Sequence, residues 1–310
     1  RMMIFLYVIL ALIAAMMIVY FAFPKALYSG LQTLLRRRGG LVQKSMTVGD
    51  HVWPFLEGGP AGGVPVVLLH GFGGDKDNWS IYAPRITGSY RLIAPDLPGF
   101  GENDRSLDRD YDIANQCHRL AAFLDAMGIP KCHLGGNSMG GFIALQFALE
   151  YPDMVASLTL FNNAGVVGED KSELQIAAES GKNVLALDSV EDTKRLMEFV
   201  AYKPVAMPGQ FRKLFFEEAN AHKELLDKIF WQIAGSGIND PLNDRLGDVK
   251  APTLIIWGRH DRLIDVSCVA ALDKGIENSE SVILEKTGHV PMIEKPKETA
   301  GAHLAFLAKQ

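Results

Sequence analysis

The spacing of apolar and polar positions divides the chain into an apolar leader, an amphipathic stretch and a long body. No charged residue occurs between Met2 and Phe23. A helix over those residues would span about 33 Å at ~1.5 Å per residue, close to the ~30 Å of a bilayer core. The stretch is too long for a cleaved signal peptide and ends in no A-x-A site. An uncleaved transmembrane helix over residues 1–24 is therefore expected, with Tyr7, Tyr20, Phe21 and Phe23 suited to its interfaces. After Pro24, Leu27, Leu31, Leu34 and Leu35 fall at helical spacing and Arg36-Arg37-Arg38 follows. Residues 25–45 read either as an amphipathic juxtamembrane helix on an anionic lipid surface or as a plain linker.

From residue 46 onward, short apolar runs alternate with helical patterns. Strands are expected at Val64–Leu69, Tyr90–Pro95, Lys131–Gly135, Val155–Phe161, Thr253–Trp257 and Ser281–Leu284. Helices are expected over residues 111–128, from Phe142, and from Pro296 to the end. Such alternation predicts an α/β fold with a mostly parallel sheet and helices on both faces. Residues 166–246 interrupt it with helical patterns rich in aromatic and aliphatic side chains, among them Phe199, Phe211, Phe215, Phe230 and Trp231. They read as a helical cap inserted into a core made of residues 46–165 and 247–310.

Composition narrows the function. The chain has 310 residues, 48% of them hydrophobic, enough for one large core or two modest ones. A net charge of −5 without a basic stripe excludes nucleic acid as a partner. Cys117, Cys132 and Cys268 are widely spaced and form no C-x-x-C, so neither a zinc knuckle nor a disulfide framework is indicated. Buried free thiols are expected, and no metal or cofactor.

The candidate chemistry lies in the body. Gly136-Asn137-Ser138-Met139-Gly140 reads as G-x-S-x-G between an expected strand and an expected helix. That context turns the chain sharply and presents Ser138 at a helix N-terminus. A serine needs a base to act as a nucleophile at neutral pH, and the base needs an acid to orient it. Asp261 follows the strand ending at Trp257, in Trp257-Gly258-Arg259-His260-Asp261, and His289 follows the last strand, in Thr287-Gly288-His289. Asp265, one helical turn from Asp261, competes for the acid's place, but the position after Trp-Gly-x-x favours Asp261. His260 is expected at the surface, and His70 is expected to hold its loop by a hydrogen bond. Lys76, Asp77 and Trp79 would brace that loop, and Asp96 reads as structural. His51, His118, His133, His222 and His303 fall in no motif.

With His70-Gly71-Phe72, these motifs in this order resemble the α/β-hydrolase superfamily over residues from about 46 to 310. The resemblance implies an α/β-hydrolase fold with Ser138 as nucleophile, His289 as base and Asp261 as the acid that orients it. It also implies an oxyanion hole made by the backbone N–H groups of Phe72 and Met139. A serine nucleophile argues against the dehalogenases and epoxide hydrolases of this fold. The run from His70 to Trp79, with Glu294-Lys295-Pro296 downstream of His289, is similar to membrane-anchored bacterial lipases, phospholipases A and monoacylglycerol lipases. These imply a serine carboxylic-ester hydrolase acting on membrane lipid or another acyl ester, with fatty acid as product.

Gly-Asn-Ser-Met-Gly-Gly followed by Ala148–Pro152 also resembles C–C bond hydrolases of dienoic ring-cleavage products, but Val290 stands where those enzymes carry tryptophan. A non-catalytic membrane scaffold on the same fold is the third reading. The basic residues after Pro24 favour a cytoplasmic body by the positive-inside rule. The bacterial relatives instead imply a single-pass inner-membrane protein with a periplasmic catalytic domain, and the expectation follows them. Ala11 and Ala15 form a small-x-x-x-small pair that would suit a homodimer through the transmembrane helix.

Overall fold

The computed structural model describes residues 2–310, and the side chains of all of these except Met2, Ile4, Ala11, Ile13, Ala14 and Ala15. The pair Ala11 and Ala15 thus lies outside the described side chains, and with it the basis for a homodimer. Two helices open the chain, α1 over Met2–Ala22 and α2 over Pro24–Arg38, with Pro24 in the first turn, where its missing N–H costs nothing. Among the described residues no helix is long and apolar enough to cross a membrane. The helical reading of the leader holds. Residues 24–38 are a helix rather than an irregular linker.

Eight strands follow, β1 Leu41–Val48, β2 His51–Gly58, β3 Pro65–Leu69, β4 Arg91–Pro95, β5 Cys132–Asn137, β6 Val155–Phe161, β7 Thr253–Gly258 and β8 Ser279–Leu284. They form one sheet in the order β1-β2-β4-β3-β5-β6-β7-β8, parallel from β4 to β8. The six expected strands are present, each within two residues of its expected start. The hairpin β1–β2 lies outside those six expected strands, and in it Leu41 pairs with Gly58. Its outer strand is largely exposed, so burial imposes no period of two on its sequence.

Alternate residues of the central strands enter two cores. Val67, Leu69, Ile93, Ile255 and Trp257 face α3 (Ile113–Ala126) and α4 (Met139–Glu150). Val66, Leu68, Leu92, Leu254 and Ile256 face Trp79, Tyr82 and the closing helices. Burial on both faces is why these strands read as unbroken apolar runs. Between β6 and β7 the chain forms the cap from α5 (Glu173–Glu179), α6 (Asp192–Val200), α7 (Gly209–Ala221) and α8 (Lys223–Asn239). The core closes with α9 (Cys268–Gly275), α10 (Pro291–Glu294) and α11 (Pro296–Leu307). All three cysteines are buried and free, and burial pushes the Cys132 and Cys268 thiols up to about 12, which keeps them protonated.

The leader does not stand apart from the body. Tyr20 and Tyr28 pack against Phe211 of α7, with ring centroids 6.4 and 5.4 Å away, and the Gln210 N–H donates to the Tyr20 hydroxyl at 3.0 Å. Arg36, at the other end of α2, reaches Asp77 beyond β3.

Candidate active site

Ser138 occupies the turn from β5 into α4 with φ 56° and ψ −119°, a backbone that L-residues rarely adopt. Two neighbours must be glycine for the turn to close. A Cβ on Gly136 would lie 2.2 Å from the Gly140 carbonyl oxygen, and one on Gly140 would lie 2.5 Å from the oxygens of Leu69 and His70. The G-x-S-x-G motif is therefore set by contacts of backbone on backbone. The loop after β3 passes directly over the serine, since a Cβ on Gly71 would lie 3.2 Å from that of Ser138. Among the described residues, the backbone N–H groups of Phe72 and Met139 donate to no protein acceptor.

That loop is held from three sides. The Leu97 N–H donates to His70 Nε2 at 3.0 Å, which fixes the proton on Nδ1, and Nδ1 donates to the Gly71 carbonyl at 2.8 Å. Burial holds the His70 pKa below its usual value, so the ring stays neutral. Lys76 and Asp96, 2% and 0% exposed, form a buried ion pair at 2.8 Å, and Asp96 also accepts the N–H groups of Lys76 and Glu102. Asp75 accepts the Asp77 N–H at 2.8 Å, and its pKa is pushed up to about 6 by burial and then by Asp96 and Asp77. Asp77 is in turn gripped by Arg36. The bracing expected of Lys76 and Asp77 and the structural reading of Asp96 match these contacts. Trp79 contributes only packing, its indole N–H being buried without a partner among the described residues.

Asp261 and His289 meet at the end of the sheet beside this loop. His289 Nδ1 lies 2.7 Å from Asp261 Oδ2, an N–H donor to a carboxylate, so its Nε2 is left free. Asp261 Oδ1 accepts the N–H groups of Leu263 and Ile264 at 2.8 and 3.1 Å. Asp265 instead accepts the Ser267 N–H at 2.8 Å within its own loop. His260 is exposed and stacked on Tyr202, as expected of a surface residue. No hydrogen bond joins Ser138 Oγ to His289 among the described residues. The two segments are tied together through Asn137, whose Nδ2 donates to the His289 carbonyl at 3.0 Å.

Residues that sequence reasoning missed complete the surroundings. Asn162, at φ 46°, donates to Asp261 Oδ2 at 2.7 Å and accepts the Gly258 N–H at 3.2 Å. The Asn-Asn pair after an apolar strand was its one available signal, because asparagine tolerates the left-handed region. Glu294 accepts the N–H groups of Gly288 and Tyr202, both at 2.8 Å, and burial raises its pKa. The cap reaches the same loop through α6, where the Val200 carbonyl accepts the His289 N–H at 2.8 Å. Beneath the cap an apolar cavity opens on Ser138, lined in part by Phe72, Met139, Phe142, Val166, Phe230 and Ile233.

The family model of the alpha/beta hydrolase fold matches residues 64–296. The chain belongs to the α/β-hydrolase family. This hydrolase is 38% identical to a lipase of Psychrobacter immobilis over 87% of the chain and 86% of that protein. It is 30% identical to a monoacylglycerol lipase of Rattus norvegicus over 97% of the chain and 91% of that protein. Among solved structures it resembles a membrane phospholipase A described as a bacterial virulence factor, with a TM-score of 0.89, 38% identity and coverage of 100% and 99% of the two chains. A meta-cleavage product hydrolase from Pseudomonas fluorescens shares 26% identity at a TM-score of 0.74, covering 86% of this chain and 97% of that one. The resemblance to lipases and monoacylglycerol lipases read from the motifs holds, and with it the expectation of a serine ester hydrolase.

Proposed function

We propose that this hydrolase is a membrane-anchored serine carboxylic-ester hydrolase that cleaves acyl esters of lipids, a phospholipid, lysophospholipid or monoacylglycerol. The observation that carries the reading is the apolar cavity opening on Ser138 beneath a cap against which the apolar leader packs. Among the lining residues there is no lysine or arginine. Such a wall suits an acyl chain and gives no counter-ion to a soluble dienoic diacid, which disfavours the C–C hydrolase.

In the proposed mechanism Ser138 Oγ attacks the acyl carbon while His289 Nε2 takes its proton. Asp261 holds the imidazole in the Nδ1–H tautomer and stabilises the imidazolium. The free N–H groups of Phe72 and Met139 donate to the oxyanion, each donor contributing ~3 kcal/mol of transition-state stabilisation. Collapse of the tetrahedral intermediate releases the alcohol, protonated by His289, and leaves an acyl-enzyme. Water, deprotonated by His289, then releases the fatty acid. The serine–histidine hydrogen bond is commonly long before substrate is bound.

Membrane attachment through α1 is part of the proposal. Phe5, Val8, Leu10 and Ile18 are exposed on different sides of an uncharged helix, and Leu27, Leu31 and Leu34 are exposed on α2. A helix apolar all round needs an apolar medium. Deleting residues 1–23 is expected to release the protein from sedimenting membranes. Persistence in the pellet after a carbonate wash would refute α1 as the anchor. We place the body on the periplasmic side, and protease access in intact spheroplasts tests that placement.

Ser138→Ala tests the chemistry. It is expected to abolish turnover of p-nitrophenyl acyl esters, with a loss of around a million-fold by analogy with serine proteases. Activity surviving the change would remove Ser138 as nucleophile. Turnover of a dienoic ring-cleavage product in preference to lysophospholipid and monoacylglycerol would transfer the proposal to the C–C hydrolase. No turnover of any of them would favour the scaffold.

A further inference from the structure

Helix α8 forms one wall of the cavity, and near its end runs Ala234-Gly235-Ser236-Gly237. Glycine is the least favourable residue in a helix interior after proline, so two within three residues call for a cause. Packing supplies one for the glycine that faces them across the cavity. A Cβ on Gly165, at φ +86°, would lie 2.2 Å from the Phe142 ring. Gly237 differs. A Cβ there would make ordinary contacts, 3.5 Å to Phe142 and 3.8 Å to the Gly165 nitrogen, and its backbone lies outside the left-handed region. Neither sterics nor conformation requires glycine at this position. What its missing side chain leaves open is the cavity, which Gly237 lines and Gly235 does not.

The position of that opening gives it a role. Phe142 stands one turn along α4 from Ser138, its N–H donating to the Ser138 carbonyl at 3.0 Å. The wall of Phe142, Gly165 and Gly237 therefore lies about one helical turn, ~5 Å, beyond the residue presenting the hydroxyl. If the acyl chain runs from Ser138 along this cavity, a short one ends before the wall and a long one reaches it. We infer that Gly237 is a specificity-determining residue that keeps the acyl pocket deep and so admits long acyl chains. The inference rests on the proposed ester-hydrolase reading and adds the chain length that the site accepts.

The experiment uses the full-length protein in detergent with p-nitrophenyl esters from butyrate to hexadecanoate. Gly237→Leu should lower kcat/KM for dodecanoate and longer chains by roughly tenfold or more relative to butyrate, the scale of misfit in an apolar pocket. Gly237→Ala should give a smaller shift in the same direction. Gly235→Leu, on the same helix with nothing within 4 Å of its Cβ, should leave the profile unchanged. Thermal melts verify folding, and Gly237→Ala carries the test if the leucine variant does not fold. A wild-type profile in folded Gly237 variants overturns the inference, as does an equal shift in Gly235→Leu. An inactive wild-type enzyme would overturn the ester-hydrolase reading beneath it, a different and recognisable failure.

Discussion

Arg36 of the leader grips Asp77 of the loop over Ser138, its Nε lying 2.6 Å from Oδ1 while Nη2 meets Oδ2. The contact is a two-point fork, Ser80 adds a hydroxyl donor to Asp77 at 3.0 Å, and both charged side chains are largely shielded. It joins a helix outside the core to the loop that carries the Phe72 N–H. Arg36→Ala is expected to lower kcat roughly tenfold with little change in KM, since one hydrogen bond to a charged group contributes about 1.5–3 kcal/mol. Lysine should rescue poorly, because it cannot form the fork. Asp77→Asn should reproduce the loss, and the double variant should be no worse than either single one. Additive losses would show that the two residues act apart.

The pair of Lys76 and Asp96 supports the same loop from within. Removing one member of a buried ion pair leaves the other charge without a partner, at a cost of about 3–5 kcal/mol. Asp96→Ala should lower the urea midpoint accordingly, and replacing Lys76 and Asp96 together with apolar residues should recover part of it. A midpoint within error of wild type would mean that water already solvates this ammonium.

Asn162 is expected to matter for rate more than for stability. It holds Asp261 at 2.7 Å from a backbone at φ 46°. Asn162→Gly keeps that backbone accessible and deletes the amide, so kcat should fall about 10- to 100-fold, the equivalent of one hydrogen bond to a carboxylate. A wild-type rate would show that the two N–H donors of Leu263 and Ile264 suffice to orient Asp261.

Acid should destabilise the protein through a histidine far from the chemistry. His303 is buried against Tyr82, and burial pushes its pKa down to about 3, with neighbouring His133 acting in the same sense. The Tyr82 phenol, its pKa raised by burial, donates to Nδ1 at 2.8 Å. The unfolded chain takes up this proton below about pH 6.5, and the folded one takes it up only near 3. The stability is therefore complete above pH 6.5 and is lost as pH falls toward 3, at up to ~1.4 kcal/mol per unit. In His303→Gln the plot of unfolding free energy against pH should be flatter across that window. An unchanged slope would assign the acid sensitivity to other groups.

The sequence revealed what local signals encode. Strands β3, β4, β6 and β7 are buried and mostly apolar, and Ser138, Asp261 and His289 each follow a strand inside a short motif. The β1–β2 hairpin escaped notice because its outer strand is mostly exposed and carries no clean alternation. Asn162 and Asp261 lie 99 positions apart, and Arg36 and Asp77 lie 41 apart. No periodicity links such pairs, since one hydrogen bond between distant segments leaves no pattern in either. The three arginines after Leu35 read equally as lipid contacts or as part of a linker for the same reason. Arg36 is committed to Asp77 and Gln43, and only Arg37 and Arg38 are left exposed.

The cap leaves the sheet after β6 and re-enters at β7, and these two strands are neighbours paired from Leu158–Thr253 to Phe161–Ile256. Its two ends meet, the Leu242 N–H donating to the Gly165 carbonyl at 2.8 Å, whatever the excursion between them contains. Closing a longer excursion adds only ~0.6 kcal/mol per doubling. Gly237, which would set the acyl-chain length, therefore lies on a segment that can vary in length apart from the strands, while Phe142 of α4 is the part of the wall fixed with the core. A lineage can lengthen or reshape the cap and change the substrate accepted, with the sheet's register and the serine turn untouched, so long as a carbonyl still meets the His289 N–H where Val200 does.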